Sequence, residues 1–366
     1  MTLIYVLLVM YMLRGWVRIP VFPLPHDRLH SKVSVLIAAR NEAENIGRTL
    51  DGIIAQDFPK DLLEIIVVDD HSTDATAAVV ASYADRGVKL IRLNEGDKLN
   101  SYKKLAITRA IEQSSGSVMV TTDADCRMGK DWLKTVVAFF EKTEAYMVSS
   151  PVVYSEEKSY FERLQTLEFL YLIGLGAAGI GNGNPTTCNG ANLAYRKDVF
   201  YEMGGFNGID NVASGDDELF LHKVAEKYAD RIHFCKSREA VVFTDAKPTL
   251  AAFISQRRRW ASKSTKYKDK RVVALGISIW LFNVALLVGL VHFFVILPEI
   301  NSLFLIAFGL KVLAEFLFIL PLCLFARRRS LIWNLPLLSL IHSFYLVYIG
   351  LAGNVGKYDW KGRKVH

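Results

Sequence analysis

Between residues 32 and 151 the sequence alternates short, almost wholly apolar runs with longer amphipathic ones, a rhythm that few folds accommodate. Residues 33–39, 63–68, 88–93 and 118–122 read as strands. Residues 42–56, with Ile46, Leu50, Ile53 and Ile54 on one face, read as a helix, as do residues 74–84, 103–114 and 130–141. Strands without polar alternation are covered on both faces, which predicts an α/β fold on a mainly parallel, Rossmann-like sheet with helices on both sides. Ligands of such sheets sit beyond the carboxyl ends of the strands.

Acidic residues collect at that edge. Arg40-Asn41-Glu42 follows the first strand, Asp69-Asp70-His71-Ser72 the second, and Asp123-Ala124-Asp125 the fourth. On an extended backbone, side chains two apart share a side, so Asp123 and Asp125 form a pair of hard oxygen ligands suited to Mg²⁺ or Mn²⁺. A cation held by two carboxylates completes its shell with water and substrate phosphates, which points to a phosphorylated small molecule. A single Asp-x-Asp is common in turns, and Asp70 with Ser72 also suits a helix start. The reading is carried by three acidic clusters at three strand ends.

Much of the remaining chain reads as membrane. Of the 366 residues 51% are hydrophobic, and the mean hydropathy of +0.22 exceeds that of ordinary soluble chains. Residues 272–297 contain no Asp, Glu, Lys or Arg, and residues 303–325 and 331–353 are also long enough to span. Residues 1–13 are apolar but give only about 20 Å of helix against a hydrocarbon core of about 30 Å. They either cross, with Arg14 snorkelling and Trp16 at the interface, or lie along the surface. Residues 169–181 are too short to span and read as a buried or interfacial helix near an acceptor site. Lys311 and Glu315, four apart inside an apolar run, read as an ion pair facing neighbouring helices.

The formal charge of +7 has one local source: residues 257–271 hold eight basic residues and one acid. So concentrated a patch beside a span reads as juxtamembrane, drawn to anionic lipid or marking the cytoplasmic side, and not as a nucleic-acid footprint. Arg327-Arg328-Arg329 also favours the cytoplasm. Lys357, Lys361, Arg363 and Lys364 would lie outside after one more crossing. Either residues 331–353, interrupted by Asn334, Pro336 and His342, are re-entrant, or the tail breaks the charge rule. Cys126, Cys188, Cys235 and Cys323 form no C-x-x-C, which suits reduced thiols, a cytoplasmic catalytic part and no zinc site.

Six segments occur in a telling order: Ala38-Ala39-Arg40-Asn41-Glu42, Val67-Val68-Asp69-Asp70-His71-Ser72-Thr73-Asp74, Asp123-Ala124-Asp125, Thr187-Cys188-Asn189-Gly190-Ala191-Asn192-Leu193-Ala194-Tyr195-Arg196 with Gly204-Gly205-Phe206, Ser214-Gly215-Asp216-Asp217-Glu218, and Gln256-Arg257-Arg258-Arg259-Trp260. Together they resemble a family 2 glycosyltransferase with a GT-A fold, of the membrane-integrated type that carries QxxRW. The resemblance implies that Ala39, Asn41, Glu42, Asp69, Asp70, Lys103 and Asp123 bind a nucleoside-diphosphate sugar, with Asp70 reading the nucleobase, commonly uridine. It implies a divalent metal, Mg²⁺ or Mn²⁺, on Asp123 and Asp125, and an acceptor and diphosphate side formed by Asn189, Gly190, Gln256, Arg259 and Trp260. Asp217 is the implied general base and Asp216 the alternative, because Asp-Asp stands where Glu-Asp is commoner. Arg259 suits a leaving diphosphate and Trp260 a sugar face, although an interfacial Arg/Trp anchor would look similar.

These readings divide the chain into an N-terminal membrane segment (1–24), a GT-A domain (30–262), a basic linker (263–271), two or three transmembrane helices (272–354) and a basic tail (355–366). The expectation is an integral protein of a bacterial inner membrane, with a cytoplasmic domain that transfers a sugar with inversion from a UDP-sugar to a lipid-linked acceptor. A processive polysaccharide synthase and a catalytically silent membrane scaffold are the alternatives. Its partners are then the nucleotide-sugar donor, a lipid or glycan acceptor and membrane lipid, without nucleic acid; nothing in the sequence sets an oligomeric state.

Overall fold

The computed structural model describes residues 1–26, 28–94, 101–212, 214–263, 267, 269–352, less 296–300, together with 358–360 and 363–365. Helix α1 (Thr2–Arg18) leads into β1 (Val33–Ala39), α2 (Ile46–Ile54), β2 (Leu63–Asp69), α3 (Thr76–Ala81), β3 (Val88–Arg92), α4 (Tyr102–Glu112) and β4 (Val118–Thr121). Then come β5 (Arg127–Met128), α5 (Trp132–Thr143), β6 (Met147–Ser149), β7 (Val152–Tyr154) and the long α6 (Tyr160–Gly181). The domain closes with β8 (Leu193–Arg196), α7 (Lys197–Glu202), α8 (Glu218–Tyr228), β9 (Ile232–Phe234), β10 (Val242–Thr244) and α9 (Leu250–Ala261). Three long helices, α10 (Lys270–Val295), α11 (Asn301–Phe325) and α12 (Leu335–Ala352), and a hairpin of β11 (Tyr358–Trp360) with β12 (Arg363–Val365) complete the chain.

The main sheet has the order β3-β2-β1-β4-β8-β6-β9. Only β8 runs against its neighbours, so the sheet is mixed with a parallel majority. Ala39 lies opposite Asp69 and Leu36 opposite Thr121, which brings the carboxyl ends of β1, β2 and β4 to one edge. Alternation along β1 sends Val33, Val35 and Ile37 into one core with Ile46, Leu50 and Ile53 of α2. Leu36 faces the other way, into a core with Ala106 and Ile107 of α4 and Phe220 and Leu221 of α8. That second core runs on through Trp16, Ala177 and Phe318, so α1, α6 and α11 pack directly beneath the sheet. Helix α2 starts at Ile46 rather than at 42, because the Asn41 and Glu42 N–H groups donate to Ser72 Oγ and Thr76 Oγ1 and hold the chain in a turn.

Among the described residues four helices are long and apolar enough to cross a membrane: α6 and the three C-terminal ones. Helix α6 begins at Tyr160, not at 169; Ser159 caps it, and its first turns bury Glu162, Gln165, Thr166 and Glu168 against protein, so the charges that ended the apolar run do not end the helix. Trp16 is not an interfacial anchor: it is buried against Phe234 and Phe325, with the Lys236 ammonium 4.1 Å from its ring centroid. The Lys311–Glu315 pair (2.8 Å) is enclosed by neighbouring helices, with Ser339 Oγ and Tyr5 OH each donating to Glu315 at 2.6 Å. Helix α12 runs unbroken from Leu335, since Pro336 sits in its first turn, where no intrahelical N–H bond is lost. The basic patch is not uniformly lipid-facing either, because Arg257 and Lys263 are buried inside the protein. The span end at Leu297 and the tail residues Lys357 and Lys361 lie outside the described residues.

Candidate active site

Two loops at the sheet edge tie each other down. Asn41, at φ +50°, accepts from Thr73 N through its Oδ1 (2.8 Å), and Arg40 Nη1 donates to the carbonyls of Asp70 (2.8 Å) and His71 (2.7 Å). Ala39 is buried and its carbonyl accepts from Asp70 N (2.8 Å), so it contributes backbone alone. Asp70 Oδ1 lies 3.0 Å from His71 Nδ1. Asp69 Oδ1, in contrast, is buried with no hydrogen-bond partner among the described residues. A buried acceptor lacking a donor is costly, and it suits a ligand N–H. The unpartnered oxygen thus belongs to Asp69, the neighbour of the Asp70 on which the resemblance places the nucleobase.

Asp123 and Asp125 follow β4, and their ligand atoms and that of Cys126 lie within 4.8 Å of one another. Burial, with the two carboxylates beside it, pushes the Cys126 thiol well up. A neutral thiol is a poor partner for a hard cation, so the usable donor set is two partly exposed carboxylates, which fits a divalent cation of the Mg²⁺ or Mn²⁺ kind. Lys103, on the first turn of α4, donates to Asp123 Oδ1 (2.9 Å) and lies 3.3 Å from Asp216 Oδ2. Burial works against its charge, but Asp123 and Asp216 outweigh burial and hold the ammonium above the usual lysine range. Its neighbour Lys104 donates to the carbonyls of Val212 (2.5 Å) and Ser214 (2.9 Å), fixing the loop that leads to Asp216. Burial pushes that ammonium down to about 8.

Asp217 caps α8. Its Oδ1 accepts from Glu218 N (2.7 Å) and its Oδ2 from Gly190 N (2.9 Å), with Lys263 Nζ 3.7 Å from Oδ1. Burial pushes the Asp217 carboxyl up, but Lys263 and Lys103 outweigh it and hold the group below the usual carboxylate range. Gly190 permits the approach: a Cβ there would lie 3.2 Å from Asp217 Cβ and 3.3 Å from its Oδ2. Gly190→Ala should displace Asp217 and lower turnover by about tenfold, with nucleotide affinity unchanged. Steady-state kinetics showing wild-type turnover would remove this contact from the reacting geometry.

The surrounding brace was not legible in the motifs. Asn189 Oδ1 accepts from Ala191 N (2.9 Å), and Asn192 is fully used by Trp132 Nε1 (3.0 Å) and the carbonyls of Pro151 and Ala240 (2.8 Å each). Buried Glu218 accepts from Thr187 Oγ1 (2.7 Å) and from the Tyr267 hydroxyl, and pairs with Lys263 (3.1 Å). The basic linker thus begins inside the site.

Helix α9 supplies the far wall. Burial pushes the Asp123 carboxyl up, and Lys103 together with Arg259 holds it below its usual range, while Lys263, one turn past Arg259, lies 3.7 Å from Asp217 Oδ1. The Trp260 ring packs 6.0 Å from that of Phe169. Gln256 is turned sideways, its Oε1 accepting from Arg257 Nη1 (2.6 Å). The structure thus gathers Lys103, Asp123, Asp125, Gly190, Asp216, Asp217 and Arg259 around one cleft, with Asp69 and Asp70 at the neighbouring strand end.

A mixed sheet of this order with carboxylates at these strand ends is a GT-A fold, and the solved mannosyltransferase PcManGT from Pyrobaculum calidifontis, in complex with GDP-Man and Mn²⁺, shares it: TM-score 0.57, 20% identity, 96% of this chain and 94% of that one covered. Residues 34–204 match glycosyl transferase family 2, and the chain carries a domain of that family. Glycosyltransferase AglE of Haloferax volcanii is 30% identical over 187 residues, 50% of this chain and 58% of that protein. Hyaluronan synthase of Streptococcus pyogenes serotype M1 is 26% identical over 369 residues, 93% of this chain and 84% of that protein. The chain spans about half the length of the first curated relatives it matches, at 58, 54 and 47%.

Proposed function

We propose that this chain is an inverting, metal-dependent glycosyltransferase that moves a sugar from a UDP-sugar to a lipid-linked acceptor, its catalytic domain on the cytoplasmic face of the membrane. The observation that carries the reading is Lys103, which joins Asp123 (2.9 Å) to Asp216 (3.3 Å) and so draws donor-side and acceptor-side carboxylates into one cleft. Asp123 and Asp125 would hold the cation, which when bound supplies Lewis-acid stabilisation of the leaving diphosphate. Lys103 and Arg259 add fixed positive charge on the same side. Asp69 offers its unpartnered oxygen to a nucleobase N–H.

Asp217, oriented by two backbone N–H groups, takes the proton of the acceptor hydroxyl. As that oxygen bonds to the anomeric carbon, the bond from carbon to the diphosphate oxygen breaks. One displacement with the base and the leaving group on opposite sides of the sugar inverts the anomeric centre. Arg258 Nε donates to the Ala352 carbonyl of α12 (3.2 Å), so the wall of the cleft is fastened to a membrane-length helix, which supports an acceptor presented from the bilayer.

A polysaccharide-forming synthase is the second reading, favoured by similarity to a hyaluronan synthase along 93% of the chain. Membranes containing the protein, incubated with radiolabelled UDP- and GDP-sugars, separate the two. A solvent-extractable product carrying one sugar is expected, and a high-mass product would favour the synthase. No transfer from any donor by folded protein would contradict both and leave the silent scaffold.

A further inference from the structure

Arg257 stands inside the Gln256-x-x-Arg259-Trp260 segment but turns into the protein, where it is 2% exposed. Its Nε donates to Glu168 Oε1 (3.1 Å), its Nη2 to Glu168 Oε2, and its Nη1 to Gln256 Oε1 (2.6 Å). The guanidinium carbon lies 4.5 Å from the Phe253 ring centroid and 4.3 Å from that of Trp260. All three nitrogens are engaged and the planar fork is packed by two rings, an arrangement that a lysine cannot reproduce.

Successive helical residues are about 100° apart, so Arg257 and Arg259 point about 200° apart around α9. Holding Arg257 to Glu168 therefore sets where Arg259 points, which is the side of α9 that one turn later carries Lys263, its Nζ 3.7 Å from Asp217 Oδ1 and 3.1 Å from Glu218 Oε2. Glu168 belongs to α6, while Tyr345 of α12 interacts with both partners of the pair and its ring lies 5.4 Å from that of Phe253. The clamp thus ties α9 to two membrane-length helices.

We propose that the Arg257–Glu168 pair is a positioning device that fixes the rotation of α9 and thereby aims Arg259 into the cleft. The inference rests on the proposed role of Arg259 at the leaving diphosphate. Buried ion pairs are often replaceable by apolar groups at no loss of stability, so stability alone gives no reason for this fork.

The test uses the purified full chain, with turnover counted per nucleotide-binding site so that unfolded protein is excluded. Arg259→Ala should lower kcat by about 10²–10³-fold. Arg257→Lys and Glu168→Gln should each lower kcat on the order of tenfold through misplacement, with donor KM within about twofold of wild type. Because the pair acts through Arg259, the double variant Arg257→Lys/Arg259→Ala should be no slower than Arg259→Ala alone. Losses that multiply in the double variant, or wild-type kcat in Arg257→Lys and Glu168→Gln while Arg259→Ala is impaired, would overturn the positioning role alone. Wild-type kcat in Arg259→Ala would instead overturn the reading on which it rests.

Discussion

Asp217→Asn is expected to lower turnover by about 10²–10⁴-fold while leaving nucleoside-diphosphate affinity within a few-fold of wild type. Asparagine keeps one acceptor oxygen, enough to hold the Glu218 N–H and the cap of α8, while its amide nitrogen loses proton affinity together with the bond from the Gly190 N–H; the roughly tenfold effect expected of Gly190→Ala sets the scale of that second loss. Asp216→Asn is the control. Its carboxylate pairs with Lys103 and is not the one oriented by the Gly190 and Glu218 N–H groups, so its replacement should leave the proton step in place. If Asp216→Asn loses turnover by that factor and Asp217→Asn does not, the base is Asp216. The pH profile gives the sign independently. Lys263 and Lys103 outweigh burial and hold Asp217 below the usual carboxylate range, so the unprotonated form persists as pH falls. Turnover should therefore show no acid limb from this group between about pH 8 and pH 5. A limb with its midpoint above about pH 6 would point to another base.

Removing metal is expected to have an effect of similar size. EDTA should reduce transfer to background, and Mn²⁺ or Mg²⁺ should restore it, because the cation is assigned several kcal/mol of charge stabilisation in the transition state. Asp123→Ala and Asp125→Ala should not be restored by added metal. Asp123→Ala also frees Lys103 from its 2.9 Å partner, leaving it to Asp216 at 3.3 Å, so part of the loss is electrostatic. The Asp125→Ala variant separates the two effects, since Lys103 keeps its bond to Asp123. Full transfer in EDTA would contradict a metal-dependent reaction.

What could be read from the sequence follows from the range of the interactions involved. Strand β1 occupies residues 33–39 as the apolar run predicts, and the three strand-end acid clusters reach one edge because parallel register requires it. Helix α6 was legible only from 169, since Glu162 and Glu168 look like solvated charges until their partners, Lys158 N–H and Arg257, are known. Glu168 and Arg257 are 89 residues apart, and no local pattern pairs them. The one available signal was an isolated carboxylate at the head of an apolar helix. Lys263 was read with a lipid-facing patch because charge density is a local property, whereas its contacts with Asp217 and Glu218 depend on the chain folding back. The resemblance placed the nucleobase on Asp70; that the unpartnered buried oxygen belongs to its neighbour Asp69 depends on the packing around the strand end, which no local pattern carries.

The most direct test of a nucleotide site built on Asp123 and Asp125 is calorimetric titration of the purified, detergent-solubilised chain with UDP, in Mn²⁺ and in EDTA. Saturable binding in Mn²⁺ is the predicted result, weakened at least about tenfold, or 1.4 kcal/mol, by EDTA and by Asp123→Ala or Asp125→Ala. Affinity that is the same with and without metal and unchanged in both variants would contradict it.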